Sequence, residues 1–446
     1  MHIISYIKNF SKRSSAGITI AHNKNTAYTH SEKIPCPPYV TIPMQQHIGT
    51  ECIPSVKIND LVKVGQEIAT NVSNMCAPIH SSISGKVTKI DKILMPNGTY
   101  SQAVTIESDG KMDYSETIKP HKISTKEDLV AAAKSSGLVG LGGAGFPTHI
   151  KINTPQNKYI DTLLINATEC EPYITSDTRT ILEHSDDIIS GINIIKNTLH
   201  IENAIISIEK NKPESINQLR NSILKSGSKI KILILDTKYP QGAEKVLIKS
   251  STGRTVPCGK LPSDVGCLVL NVTTIYTLYN YINTGKPLID KIITVDGSAI
   301  NNPKNLIVPI GTPIRELIKF CGGYKSTPKK ILMGGPMMGI SLVDDTMPIL
   351  KQNNAILIFN EHDSVLKSPT NCIRCGKCVQ QCPMNLMPLS FEQNVKANNI
   401  ENLIKLNISN CMECGCCAYL CPANRPLVQS IRLGKFLIKK NKQGKV

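Results

Sequence analysis

The rhythm of hydrophobic and polar positions changes several times along the chain, and each change predicts a different folded unit. Between residues 35 and 110 the apolar runs are short and broken by Gly, Pro and Asn, which predicts a small β-domain. Within it VKVGQEIA (62–69) and ISGKVTKI (83–90) read as matching hairpin arms that turn at Gly65 and Gly85. From about residue 121 helical periods alternate with aliphatic runs. A capping-box-like Thr125–Asp128 opens the helix KEDLVAAAKSSG, and the strand DTLLINA (161–167) follows. An amphipathic stretch (176–199), the strand AIISIE (204–209), a helix (213–226) and the strand KIKILILD (229–236) come next. A further helix begins after YPQGAEK, and CLVLNV (267–272) reads as a fourth strand. This alternation predicts a parallel α/β sheet, whose ligands lie beyond the carboxyl ends of the strands. Residues 285–345 return to short strands, KIITVDGS (291–298) and LIVPIG, followed by a short helix. Thr312 is the expected N-cap of that helix, with Pro313 at its first position and Gly322–Gly323 as its stop. From about residue 365 the chain reads as helical around clustered cysteines. No run approaches 18 apolar residues, so no transmembrane helix is expected and any membrane association is peripheral.

Composition narrows the picture. A length of 446 residues predicts three or four domains. Aromatics are only 4% and Trp is absent, so aliphatic side chains build the cores. The net charge of +17 raises nucleic acid as a partner, but the lysines are scattered and few rings are available to stack on bases. A solvated basic surface is expected instead. The basic run RLGKFLIKKNKQGKV (432–446) is the expected place for docking on an acidic protein or anionic lipid. MHIISYIKNFSKRSS lacks the sustained apolar core of a signal peptide. Nine of the sixteen cysteines lie between Cys372 and Cys421, which predicts metal binding in a reducing compartment rather than a disulfide scaffold. The other seven are scattered, and most, including Cys258, Cys267 and Cys321, are expected to be buried small hydrophobes.

The cysteine spacing carries the strongest chemistry. Cys372-x2-Cys375-x2-Cys378-x3-Cys382-Pro383 recurs as Cys411-x2-Cys414-x2-Cys417-x3-Cys421-Pro422. Three thiolates of each run wrap one 4Fe–4S cubane, and the fourth, before Pro, reaches the other cluster. One cluster is therefore expected on Cys372, Cys375, Cys378 and Cys421, and the other on Cys411, Cys414, Cys417 and Cys382. Structural zinc sites also use CxxC pairs, but not triplets with a trailing Cys-Pro, twice over. Cys416 falls outside the pattern. The stretch 384–410 between the runs looks helical, which predicts a helical ferredoxin-type domain.

Upstream lies GLVGLGGAGFPTHIK (137–151). Its GxGxxG at 140–145 follows a helix rather than a strand, and there is no GK[ST], so neither a Rossmann fingerprint nor a P-loop is present. The glycines still let backbone approach a phosphate or a flat ring closely. At the end of the first α/β strand stands Asn166-Ala-Thr168-Glu169-Cys170-Glu171-Pro172, and after the third strand Tyr239-Pro-Gln-Gly242-Ala243-Glu244-Lys245. An exposed acidic turn would be the plain reading of the first.

The glycine loop resembles the flavin-binding loop of the NADH-oxidising flavoprotein subunit of respiratory complex I, and INATECEP and YPQGAE resemble its second and third loops. The 35–110 region resembles the barrel-sandwich fold of lipoyl and biotinyl carriers, although NVSNMCAPIHSS (71–82) has no lysine to modify. With two clusters at the end, the arrangement from about residue 30 to 425 resembles RnfC, the family of C subunits of Rnf (Rsx) ion-translocating oxidoreductases. The resemblance implies a multidomain α/β chain. An N-terminal segment (1–29) would precede a barrel-sandwich domain (30–115), an α/β FMN- and NADH-binding domain (120–280) and a β-grasp module (285–345). A double-cluster ferredoxin-type domain (362–430) and a basic tail (431–446) would complete it. Gly140, Gly142, Gly143 and Lys151 would hold non-covalent FMN, with the lysine near its phosphate. Asn166, Asn271 and Thr274 would support the flavin. Glu169, Glu171 and Glu244 would face flavin or nucleotide, the last two as catalytic carboxylates, with Tyr239 and Gly242 lining the third loop.

The implied activity is NADH oxidation, with electrons passing through FMN and two 4Fe–4S clusters to membrane subunits of an Rnf complex, or in reverse. A ferredoxin-like iron–sulfur subunit would be a further partner, and the place the cytoplasmic side of a bacterial inner membrane. The chain departs from the complex I pattern at Thr168, Ala243 and Thr273. Two rivals stand beside this reading: a soluble flavin subunit of a hydrogenase or formate dehydrogenase, and a non-catalytic electron-carrying scaffold.

Overall fold

The computed structural model describes residues 17–155 and 157–442. The expectation for residues 1–15 and the last four residues of the basic run lie outside the described residues.

Short alternating strands build the first unit because every second side chain points inward. A four-stranded antiparallel sheet runs Tyr39–Pro43, Tyr100–Ser108, Gly85–Leu94, Leu61–Val62, and a three-stranded one runs Ile53–Pro54, Glu67–Thr70, Ile79–His80. Val40, Ile42, Ile68, Ile79, Val87 and Ile106 fill the space between them. Gly85 allows the close pairing: a Cβ there would sit 1.9 Å from the Glu107 carbonyl oxygen.

The α/β unit opens on the helix Lys126–Ser135 with a full capping box, Thr125 and Asp128 each accepting from the other's N–H. Four parallel strands stand in the order Ile230–Leu235, Asn203–Glu209, Thr162–Asn166, Cys267–Asn271. The chain leaves Thr162–Asn166 on one side and returns on the other, so the crevice at the carboxyl ends opens beside Asn166 and Asn271, which are register partners. The helices Ser176–Thr198 and Val272–Thr284 pack on this sheet through Ile188, Ile192, Ile195, Ile275 and Leu278.

The third unit is larger than its expected span of 285–345. Its six-stranded sheet runs Glu32–Lys33, Lys304–Pro309, Asp290–Asp296, Ala355–Phe359, Lys330–Met333, Ile340–Leu342. Ala355–Phe359 is wholly buried and central, and Glu32–Lys33 extends one edge from far away in sequence. Its helix starts one residue later than expected. Pro313, extended at ψ 138°, is the N-cap of Ile314–Phe320, while the Thr312 hydroxyl donates back to Pro309 O.

The cysteine-bearing unit is helical, with Pro388–Lys396, Ile400–Lys405 and Leu427–Lys442 around Phe391, Leu403, Ile408 and Ile431. The expected basic tail from residue 431 is thus, as far as Lys442, the last helix of this unit. Ile431 and Ile438 are buried, and a Cβ on Gly434 would lie 2.7 Å from Ile408 Cδ1. No helix among the described residues is long and apolar enough to cross a membrane.

Candidate functional site

The glycine loop folds back on itself: Gly140 N–H donates to Phe146 O and Gly145 N–H to Gly140 O. The turn presses on the strand end opposite. Leu141 N–H donates to Thr274 Oγ1 at 3.0 Å, and a Cβ on Gly142 would lie 3.4 Å from Asn271 Cβ. Gly143, at φ +116°, faces open space. Gly142, Gly143 and Ala144 are exposed, and their N–H groups have no acceptor among the described residues. Free backbone donors on a side-chain-free surface at the sheet crevice fit the phosphate and ring of FMN.

The strand-end asparagines are brackets. Asn271 Oδ1 accepts from Thr274 N–H, capping Val272–Thr284, while its amide donates to Asp177 Oδ2 at 2.7 Å. Thr273 Oγ1 donates to the other Asp177 oxygen, so this departure from the pattern has a partner. Asn166 Nδ2 donates to Gly242 O at 2.8 Å, and its Oδ1 accepts from the Thr168 hydroxyl at 2.8 Å. Gly242 is needed there: a Cβ would lie 2.5 Å from Thr168 Oγ1. Cys170 Sγ accepts from Gly242 N–H, and burial pushes its thiol up to about 12.

The carboxylates are more engaged than expected. Lys151 and Glu244 form an ion pair with each other. Glu169 accepts from Asp177 N–H and from Thr178 N–H and hydroxyl, fastening the start of Ser176–Thr198. Glu171 crosses to the six-stranded unit and accepts from Met337 N–H at 3.1 Å and Met338 N–H at 2.9 Å. Desolvation raises both Glu169 and Glu171 to about 7. Gly335 leaves room for this docking, since a Cβ there would be 2.3 Å from Glu171 Oε2.

Nothing in the local sequence marks Lys24, yet its buried ammonium donates to Glu169 O and Glu171 O at 2.9 and 2.8 Å and also to Ile174 O. Burial lowers it to about 8. Residues 17–26 thus form a strap over the second loop. The strap's Ile18 also pairs with Tyr239 through bonds of 2.8 and 2.9 Å.

Tyr239 joins this region to the cysteines. Its hydroxyl donates to Cys414 O at 2.7 Å, beside the Glu171 carboxylate, and its carbonyl lies 3.8 Å from Cys416 Sγ. Cys382, Cys411, Cys414 and Cys417 line one cavity with Cys416. Cys421 stands with Cys375 and Cys378, and Arg425 lies near Cys372 and Cys421. The fourth thiol of each run therefore sits with the other run's triplet. N–H groups of Arg374, Glu413 and Leu386 donate to Cys372, Cys411 and Cys382 Sγ at 3.3–3.4 Å. Four thiols around one cavity, with amides aimed at sulfur, fit a cubane. Cys267 and Cys321 are buried as expected, but Cys258 is exposed, where Asn410 Nδ2 donates to its sulfur.

These features define an electron-transfer protein that carries FMN and two 4Fe–4S clusters. Family models match in the same order: the RnfC barrel sandwich hybrid domain over residues 12–111, the Nuo51 FMN-binding domain over 133–280, an SLBB domain over 292–341 and a 4Fe-4S dicluster domain over 371–425. The chain is 42% identical, over 82% of its length, to the C subunit of the proton-translocating ferredoxin:NAD(+) oxidoreductase complex of Clostridium ljungdahlii, covering 80% of that protein. It is 40% identical to the Na(+)-translocating counterpart of Acetobacterium woodii, covering 90% of each. In fold it is similar to a chain of an NAD+-reducing [NiFe]-hydrogenase, at TM-score 0.50 and 16% identity over 69% of this chain and 63% of that one. The chain belongs to the RnfC family, the C subunits of ion-translocating oxidoreductase complexes. It is accordingly an electron-transfer subunit of a multi-subunit, membrane-associated complex.

Proposed function

We propose that this subunit oxidises NADH and delivers the electrons, one at a time, to the membrane part of an Rnf complex, or runs the reverse. FMN supplies the exchange between hydride and single electrons when bound, and the chain supplies position and electrostatics. The exposed amides of Gly142–Ala144 would take the phosphate, with Lys151 released from Glu244 to help. Asn166, Asn271 and Thr274 would line the ring, and Glu171, Glu244 and Gly242 the nucleotide side. Glu169 acts by fixing the second loop.

The observation that carries the proposal is the direct bond from Tyr239 in the third loop to the backbone of Cys414. It supports a path from the strand-end crevice to the enclosed thiols Cys382, Cys411, Cys414 and Cys417 first, and to Cys372, Cys375, Cys378 and Cys421 last. The exposed set would then meet the acceptor, either a membrane subunit or a ferredoxin-like iron–sulfur subunit, on the cytoplasmic side of a bacterial inner membrane.

The test is an anaerobic optical titration of cluster-loaded, FMN-supplemented protein with NADH. Flavin bleaching followed by loss of the broad iron–sulfur absorbance supports the full path. No bleaching, with clusters still reducible by dithionite, sinks NADH oxidation and leaves an electron-carrying scaffold.

A further inference from the structure

Outside the cluster motifs, three buried ligand-type side chains converge: His47, Cys52 and Cys76, with one ligand atom each within 4.8 Å of the others. They come from two loops of the barrel sandwich, and Cys76 sits in the hairpin 71–82. Cys52 Sγ lies 3.3 Å from Cys76 Sγ and 3.8 Å from His47 Nε2. Tetrahedral zinc, with Zn–S about 2.3 Å and Zn–N about 2.0–2.1 Å, sets S–S edges near about 3.8 Å and S–N edges near about 3.6 Å. The two Cys52 edges differ from these by about half an ångström or less, and the His47–Cys76 edge lies within 4.8 Å. A disulfide would need the sulfurs at about 2.05 Å.

The His47 ring adds a second observation. It is buried, its Nδ1 has no partner, and its Nε2 meets sulfur rather than oxygen or nitrogen among the described residues. Buried ring nitrogens are ordinarily hydrogen-bonded, so this one is short of a ligand. Two thiolates and an imidazole select a soft, tetrahedral ion, and the thiolates neutralise a dication at this buried site.

We propose that His47, Cys52 and Cys76 bind one zinc ion, completed by a non-protein fourth ligand, which ties the two barrel-sandwich loops together behind the glycine loop. Both loops touch that loop's neighbourhood. Ile48 N–H donates to Gly145 O at 3.0 Å, and His149, just past the glycines, bonds through Nε2 to Asn74 O at 3.1 Å. The ion therefore holds the rear wall of the flavin site and takes no part in electron transfer.

Full-length, anaerobically purified, cluster-loaded protein should contain about one zinc per chain beside about eight iron. Zinc-edge X-ray absorption should show two sulfurs and at least one imidazole. The C52S/C76S double variant should drop below about a tenth of a zinc while keeping its iron, and FMN should dissociate several-fold more readily. Wild-type protein without zinc after incubation with zinc chloride would overturn the proposal. So would zinc retained by the double variant, a four-sulfur shell marking zinc in the cluster cysteines, or a Cys52–Cys76 disulfide found by anaerobic alkylation and mass spectrometry. The wild-type zinc count and absorption shell decide the matter even if the double variant does not fold.

Discussion

In the first cysteine run Arg374, Gly376 and Asn385 have φ of 53°, 75° and 52°, and in the second Glu413, Gly415 and Asn424 have 58°, 81° and 48°. The two loops are the same backbone object, written twice. Their surroundings differ. Cys372 and Cys375 are exposed, whereas Cys382, Cys414 and Cys417 are 7–8% exposed; Cys414 packs with Tyr239, Met337, Ile18 and Ile20, and Cys382 with Leu386 and Phe391. Spacing specifies which thiols gather, and distant packing specifies what the gathered thiols face. Cluster potential follows solvent exposure and nearby charge, so one sequence motif yields two different electron stations.

Cys414→Ser separates the stations most strongly. Iron should fall from about eight to about four per chain, and NADH should bleach flavin but pass nothing onward. Cys378→Ser should lose as much iron, from the other cluster, yet leave the enclosed station reducible by NADH, abolishing only delivery to an external acceptor. If electron paramagnetic resonance shows the same residual cluster in both variants, the ligand sets are wrong. Next in size is Gly335→Ala, which pushes Glu171 off Met337 and Met338. Overpacking of this kind costs about 1–3 kcal/mol, read as a lower unfolding temperature together with slower NADH oxidation.

Glu171→Gln keeps an acceptor for one of those amides, turns an NH2 toward the other and removes the charge. It should slow NADH oxidation with iron content unchanged, and unaltered kinetics would take Glu171 out of the site. Its carboxyl titrates near 7 when folded, above the ordinary value of 4.5. The folded state therefore holds a proton that the unfolded chain has released, and this contribution is present below 4.5 and lost as pH rises through about 7. Thermal melts across that range should show the Gln variant gaining on the wild type as pH rises. Tyr239→Phe removes one bond to the enclosed station, worth about 1 kcal/mol, and should slow cluster bleaching while sparing flavin reduction. The smallest effect belongs to Arg432→Ala, which loosens an exposed pair with Glu413 and should cost under about 1 kcal/mol.

Local period and spacing made much of this legible. The parallel strands Thr162–Asn166 and Asn203–Glu209 announce themselves as aliphatic runs between helices, and the Thr125 capping box is complete within four residues. The grouping of each Cys-Pro thiol with the other run's triplet is legible because the motif repeats. What could not be read joins segments far apart. Lys24 against Ile174, Glu32–Lys33 beside Leu306–Ile307, and Glu171 on Met337 leave no periodic trace, because their partners are chosen by the packed surface. Ala355–Phe359 is an apolar run whose central place depends on strands on both sides. The role of Lys151 is similarly contextual: its charge was evident, its pairing with Glu244 was not.

The strap of residues 17–26 has a bearing on how the protein is built. Gly17 N–H reaches Gln381 O, next to Cys382, and Ile18 and Lys24 seat on Tyr239 and the second loop. A ribosome releases these residues before any surface they fasten to exists. The strap can therefore be seated only after the chain as far as Gln381 has been made and folded.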